Sequence, residues 1–213
     1  MSAFFDRIKK DYLTIHVVIP LFIFLAVIYF FVPDKRIDQP PGILAVNPPT
    51  LVPISDKTSF IYKEYSITPL ADYDLVARVL DKEKYYWGRE ADISPIDFLL
   101  GWKEMSDTSL LNNFDFHLSG RWYRWHTTHM NTLPLSREDI NKELDNNHLI
   151  PATSLIKQQL NTTHVGQVVH ITGFLVSLEG KDGYRWYSSL NIGSTGGPLS
   201  CKLIYVAKFE IIK

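Results

Sequence analysis

From Leu13 to Val32 the apolar residues surround any helix drawn through them, LTIHVVIPLFIFLAVIYFFV, and no Asp, Glu, Lys or Arg occurs between Asp11 and Asp34. Twenty residues at about 1.5 Å each span roughly 30 Å, the thickness of a bilayer's hydrocarbon core. The pattern predicts one transmembrane helix over 13–32 behind a cytoplasmic tail, residues 1–12. The run ends Tyr29-Phe30-Phe31-Val32-Pro33 without the small residues of a cleavage site, so the segment is expected to be a retained anchor rather than a signal peptide. Pro20 removes one helix hydrogen bond, and His16 lies near an end, where its ring reaches the headgroups.

After the span the pattern changes twice. Residues 33–58 form a proline-rich spacer: six of the twelve prolines lie between Pro33 and Pro53, and proline disfavours helix both at its own position and at the one before it. The apolar patch Ile43-Leu44-Ala45-Val46 is expected to dock on the chain's own domain. From Ser59 onward the positions alternate. Phe60 and Tyr62, then Tyr65 and Ile67, read as a strand around a bulge, and Tyr73, Leu75, Ala77 and Val79 read as its antiparallel partner. Ser94-Pro95-Ile96-Asp97 has the form of a helix start, predicting a short helix to Gly101. A further turn is expected from Ser106 or Asp107 through Leu111. Two strands follow, Phe114 to Ser119 and Arg121 to His126, joined at a Ser-Gly turn.

Between Pro134 and Leu160 the period is helical, with Ser136 three residues before Asp139 and a second helix from Thr153. The remainder reads as strand: Gly166 to Val176, Tyr184 to Leu190, and a last strand from Ser200. These elements predict a membrane-anchored α+β chain. Its β-rich extracytoplasmic domain, residues 59–213, would have subregions 59–133 and 134–213, short helices, and a C-terminal, partly closed barrel of the OB or SH3-like kind.

Charge sets the topology and excludes one class of partner. Arg7, Lys9 and Lys10 precede the span and Lys35 and Arg36 follow it, an imbalance that with the amino terminus favours N-in and places the domain outside the cytoplasm. Beyond Val32, 19 Lys and Arg face 21 Asp and Glu, so no basic field exists to hold nucleic acid by counterion release. Cys201 is the single cysteine, which excludes an internal disulfide. It reads as a small buried residue of the strand CKLIYV, with an intermolecular disulfide or a reactive thiol as the other readings.

Candidate chemistry is sparse. His126 and His129 stand three apart, and His117, His148, His164 and His170 could join them, but no H-E-x-x-H or cysteine pair marks a metal site. Glu83, Glu90, Asp92, Asp97 and Asp107 supply carboxylates whose separation a sequence does not set. No cofactor motif is present, the loop from Gly193 lacking the Lys of a phosphate loop. The aromatics carry more information. Tyr85-Tyr86-Trp87, Trp122-Tyr123-Arg124-Trp125 and Tyr184-Arg185-Trp186-Tyr187 gather most of the Trp into three groups, and adjacent strand residues face opposite sides, so each group should send one ring inward and one outward. The candidate interaction surface is Trp87, Trp122, Tyr123, Trp125, Tyr184, Trp186 and Tyr187.

The stretches PLADYDLVARVL, READISPIDFLLGWKEMSD, GRWYRW, NHLIPA, GQVVHITGFLV and DGYRWYSSL resemble those of a family of uncharacterised bacterial proteins with an N-terminal membrane anchor. That resemblance implies an envelope setting and no particular activity. The function expected from the whole is a single-pass binding or scaffolding subunit that meets an envelope protein through its periplasmic domain. The alternative is a metal- or carboxylate-dependent periplasmic hydrolase acting on envelope material.

Overall fold

The computed structural model describes residue 12 and residues 14–24, 35–193 and 201–213. The chain divides into two compact units, Met1–Lys35 and Arg36–Lys213. In the first, residues 14–24 are helical and open with a wide π turn over Thr14–Val18. Pro20 follows one residue later, and its ring would collide with the carbonyl of His16 in a regular helix, a conflict that a widened turn relieves. Every described side chain of this helix is exposed, Phe22 and Phe24 among them. Among the described residues no helix is long and apolar enough to cross a membrane; residues 13 and 25–32 of the predicted span lie outside those described.

The second unit is a β-rich α+β body with a mixed sheet. Its strands are β1 (Thr50–Pro53), β2 (Phe60–Tyr62), β3 (Tyr65–Lys84), β4 (Ile96–Gly101), β5 (Asp115–Ser119), β6 (Trp122–His126), β7 (Leu144–Pro151), β8 (Val168–Gly180), β9 (Arg185–Tyr187) and β10 (Lys202–Ile211). The short helices are α1 (Arg89–Ile93), α2 (Thr108–Leu111), α3 (Arg137–Lys142) and α4 (Ser154–Thr162). Strand β3 pairs with β4, β4 with β7, β7 with β10, β10 with β8, and β8 with β3 again, so five strands close a ring. Only the β7–β10 pairing of the ring is parallel.

The length of β3 makes closure possible. Its first part, Tyr65 to Arg78, pairs with β8, and its last, Arg78 to Lys84, with β4. Two register shifts bend it, between Pro69 and Ala71 and between Val79 and Asp81. A one-residue bulge exchanges the faces of a strand. Tyr65 and Ile67 accordingly pack in an outer cluster with Ile150, Val176, Leu178 and Leu203. Beyond the first bulge Ala71, Tyr73, Leu75, Ala77 and Val79 line the interior with Ile96, Phe98, Leu100, Leu149, Ile171 and Ile204. Helix α4 contributes Ile156 and Leu160, spaced i and i+4, to that interior, and the Thr153 hydroxyl caps it by accepting from the Ile156 N–H at 3.2 Å. A separate outer cluster, built on Leu80, Leu99, Met105, Phe114 and Leu144, lies beneath the β5–β6 hairpin.

Several expectations are corrected here. The barrel is not confined to residues 134–213: β8 and β10 would leave open edges without β3 and β4 of the earlier subregion. Residues 96–101 form a central strand, not a helix, because β3 and β7 pair with its two edges and all six residues are buried. The helix lies earlier, at Arg89–Ile93. Leu144–Pro151 is likewise a strand inside a stretch with helical periodicity, its Asp-Asn-Asn-His run masking an element buried on both faces. Tyr62 and Tyr65 flank a two-residue hairpin turn instead of a bulge, and residues 65–84 form one strand instead of a pair. Two of the predicted caps are present: Ser136 accepts from the Asp139 N–H and Asp107 from the Ser109 N–H.

The proline-rich segment packs on the body from its start in this unit. The Ile37 N–H donates to Val165 O at 2.8 Å, Ser106 Oγ accepts from the N–H groups of Leu44 and Ala45, and Ala45 is buried in the interior cluster.

Candidate functional site

On β4 and β7 the interior face is apolar near the barrel's middle, while the opposite face carries Asp97, Asn146 and His148. Register places Asp97 opposite His148. The Nδ1 of His148 lies 2.8 Å from Asp97 Oδ2, an ion-pair distance with the ring turned away from directional hydrogen-bond alignment. Both side chains are buried, Asp97 completely. Because β10 runs parallel to β7, with Lys202 opposite Asn147, Cys201 falls alongside Asn146, whose Nδ2 is 3.7 Å from the Cys201 sulfur.

Arg121 completes the cluster from outside the barrel. It stands with Gly120 in the two-residue turn between β5 and β6, at φ 72° and 59°, the left-handed pair that a tight hairpin requires. Glycine adopts that conformation freely and arginine does so at a cost. The turn delivers the guanidinium to Asp97: Nη1 donates to Asp97 Oδ1 at 2.7 Å, Nη2 to Ser94 O at 2.9 Å, and Nε lies 3.5 Å from Glu90. The Tyr85 ring lies beneath the guanidinium at 3.6 Å, and its hydroxyl accepts from the Arg121 N–H at 3.0 Å. That hydroxyl is 2.6 Å from Glu83 Oε2 and 3.0 Å from Asp97 Oδ2, and its single proton serves one of them at a time. Asn146 Nδ2 donates to Arg121 O at 2.8 Å, fixing the turn to β7. Trp186 of β9 closes the other side, 5.1 Å from the His148 ring and 5.5 Å from the guanidinium.

The electrostatics follow from burial and pairing. Burial alone would push the His148 ring down. The Asp97 carboxylate 2.8 Å away outweighs it and raises the ring to about 9. Burial first, then the neighbouring Asp97 and Glu83, push the Tyr85 phenol well above its ordinary range. On the interior face of the same strands, Lys202 Nζ is 3.1 Å from Asp145 Oδ2, both side chains fully buried, and the Gly193 N–H donates to the same oxygen.

The predicted surface residues divide. Trp87 is 91% exposed, and Trp122 and Tyr187 are about half exposed, with Tyr86 beside Trp87 exposed as well. Tyr123 and Trp125 are half-buried against the cluster under the hairpin, Trp125 donating to Asn141 Oδ1 at 2.9 Å; Tyr184 and Trp186 are half-buried against the outer cluster. Of the carboxylates, Glu83, Glu90 and Asp97 come together around Arg121 and Tyr85, while Asp107 accepts from Gly42 N–H elsewhere. His126 and His129 are exposed, and among the described residues no group of three His, Cys, Asp or Glu side chains could hold a metal ion. Sequence reasoning did not single out Arg121, His148, Asn146 or Tyr85 as one group. Their meeting depends on cross-strand register, and the available signal was a polar run, NNH, next to the apolar LIP. Comparison of the chain with protein-family models, with curated proteins and with solved structures gave no match.

Proposed function

We propose that this chain is a single-pass binding subunit of a bacterial inner membrane, tethered by residues 13–32 with its N-terminus inside, whose extracytoplasmic barrel engages a protein partner of the envelope. The ring order supports a barrel of the OB kind: the first strand meets the second and fourth, the third and fifth are parallel, and a helix lies between the third and fourth. Barrels of that kind bind ligands on the face of their second and third strands and on the adjoining loops, an argument by analogy of fold. Here those strands are β4 and β7, and the described parts of the adjoining connections are residues 85–95 and 181–193. The apolar, uncharged run from Leu13 to Val32 and the exposure of every described side chain in 14–24 support the tether.

The observation that carries the reading is the exposure of large aromatics on and beside those connections: Tyr86 and Trp87 before β4, Tyr187 at the end of β9, and Trp122 at the start of β6, next to Arg121. Trp and Tyr are the side chains most enriched at interface hot spots, and an exposed Trp stabilises little in a monomer. Crosslinking in intact cells followed by purification in mild detergent should recover a defined envelope protein with the full-length chain. Trp87→Ala with Tyr187→Ala should reduce that recovery at least tenfold while leaving thermal unfolding of the chain unchanged. Isolation of the folded chain alone, with no crosslinked partner, would refute the proposal.

A further inference from the structure

We infer that the barrel end around Ile37 and Ile212 is a lipid-facing surface, seated on the headgroups of the bilayer that residues 13–32 cross. The inference rests on the tether in the proposed function and adds to it the face of the body that meets the membrane. The proline pattern gives residues 33–58 the role of a stand-off. Hydrogen bonding takes that role away, because Ile37 is already fastened, its N–H donating to Val165 O at 2.8 Å. Only residues 33–36 separate Ile37 from the end of the apolar run at Val32. Five residue steps reach about 17 Å at full extension, and the headgroup layer takes up roughly 5–8 Å of that. The backbone of Ile37 is therefore held within about 12 Å of the headgroup surface.

The attachment point is built into the sheet. The Gly166 N–H donates to Val79 O and the Val79 N–H to Gln167 O, which locks the connection between α4 and β8 onto β3. Beside it the Ile212 N–H donates to Val168 O at 2.8 Å, and the Val168 N–H to Lys213 O at 2.9 Å. A second observation comes from the side chains there. Ile211 is 42% and Ile212 48% exposed, two adjacent aliphatic side chains in water next to the point where the chain enters the body. The boundary between headgroups and acyl chains takes up such apolar groups. Arg36 and Lys213 are exposed on this surface, and so are Asp38 and Glu210. Charges of both signs leave no strong field, so the short connection and the aliphatic pair seat the surface, rather than attraction to anionic lipid.

The same placement turns the proposed partner surface away from the bilayer. Strand β8 starts at Val168, beside Ile212, and its 13 residues extend about 40 Å along the strand to Gly180. Its far part pairs with β9, Ser177 opposite Tyr187. Arg89 of α1 makes an ion pair with Asp182, just beyond Gly180, and Trp87 stands two residues before Arg89. Tyr187 and Trp87 thus belong to the end of β8 opposite the lipid-facing one.

The test uses the full-length chain with Cys201→Ser, reconstituted in phosphatidylcholine nanodiscs. One cysteine is added at a time, by Arg36→Cys, Ile212→Cys, Lys181→Cys or Leu21→Cys, and carries a fluorophore; all four positions are exposed, so the label displaces no core residue. Nitroxide on the lipid headgroup should quench the labels at 36 and 212 at least about threefold more than the label at 181, and nitroxide on the acyl chain should quench the label at 21. Equal quenching at 181 and 212, or none at 36 and 212 while the label at 21 is quenched, would overturn the inference and leave the tether standing. A label at 21 reached only by soluble iodide would refute the tether itself, and the inference with it.

Discussion

At the scale of single residues, Arg121 shows how a local cost is repaid. Its left-handed backbone is unfavourable for an arginine, and the same turn brings the guanidinium onto a carboxylate that has no contact with solvent. Removing one partner of such a group leaves an uncompensated buried charge. His148 shares that carboxylate, and its raised pKa ties stability to pH. The ring titrates near 6.5 when unfolded and at about 9 when folded, so the folded state holds the proton more tightly. Its contribution is therefore complete below about pH 6.5 and is lost as pH rises through 9, an effect on the order of 3 kcal/mol. Asp145 and Glu143, both raised to about 7 chiefly by burial, also favour the protonated folded state, but their loss ends near pH 7. Denaturant unfolding should show stability falling between pH 7 and 9, and His148→Gln should flatten that slope. A slope unchanged in His148→Gln would assign it to other groups. None of this coupling was legible in the sequence, because Asp97, Arg121 and His148 are separated by loops and hairpins and only register joins them.

At the scale of elements, legibility followed local chemistry. The β5–β6 hairpin, the Ser136 and Asp107 caps and the start of α4 rest on contacts between residues close in sequence, and the pattern showed them. Strands β4 and β7 were read as helical because both are buried on two faces, which removes the alternation that identifies a half-exposed strand. Ser94-Pro95 looked like a helix cap, yet Pro95 O accepts from the Tyr85 N–H, and the residues after it enter the ring. The block GWKEMSD likewise has a structural reason to be where it is. A Cβ on Gly101 would stand 2.3 Å from Met105 O and 2.8 Å from Leu80 Cδ1, so the chain can fold back only over a glycine. Gly101→Ala should cost about 2–3 kcal/mol through displaced backbone, lowering the melting temperature by roughly 5–10 °C. A melting temperature within a degree of wild type would show that the Lys103–Ser106 turn yields freely.

At the scale of the whole molecule, the question is where the folding unit begins. Among the described residues, every member of the buried apolar core lies at Ala45 or beyond. The proline-rich segment is a different matter. The Ile37 N–H pairs with Val165 O, and the backbone of Ile37 lies so close to Gly166 that a Cβ there would meet Ile37 O at 1.9 Å. Ser106 and Asp107 hold Gly42, Leu44 and Ala45, and β1 pairs Thr50 to Pro53 with Asp74 to Ala71, covering the edge of β3 that β8 leaves open. A chain beginning at Arg36 should therefore unfold cooperatively at the temperature of the full-length protein, within about 1–2 °C. A chain beginning at Ile54 loses the β1 ladder, the buried Ala45 and the N–H donors of Ile37, Gly42, Leu44 and Ala45. It should melt at least 10 °C lower and associate through the bared β3 edge, visible by light scattering. If the two truncations melt together, the proline-rich segment is only a spacer, and the hydrogen bonds that fasten it contribute nothing net against the entropy of ordering its backbone.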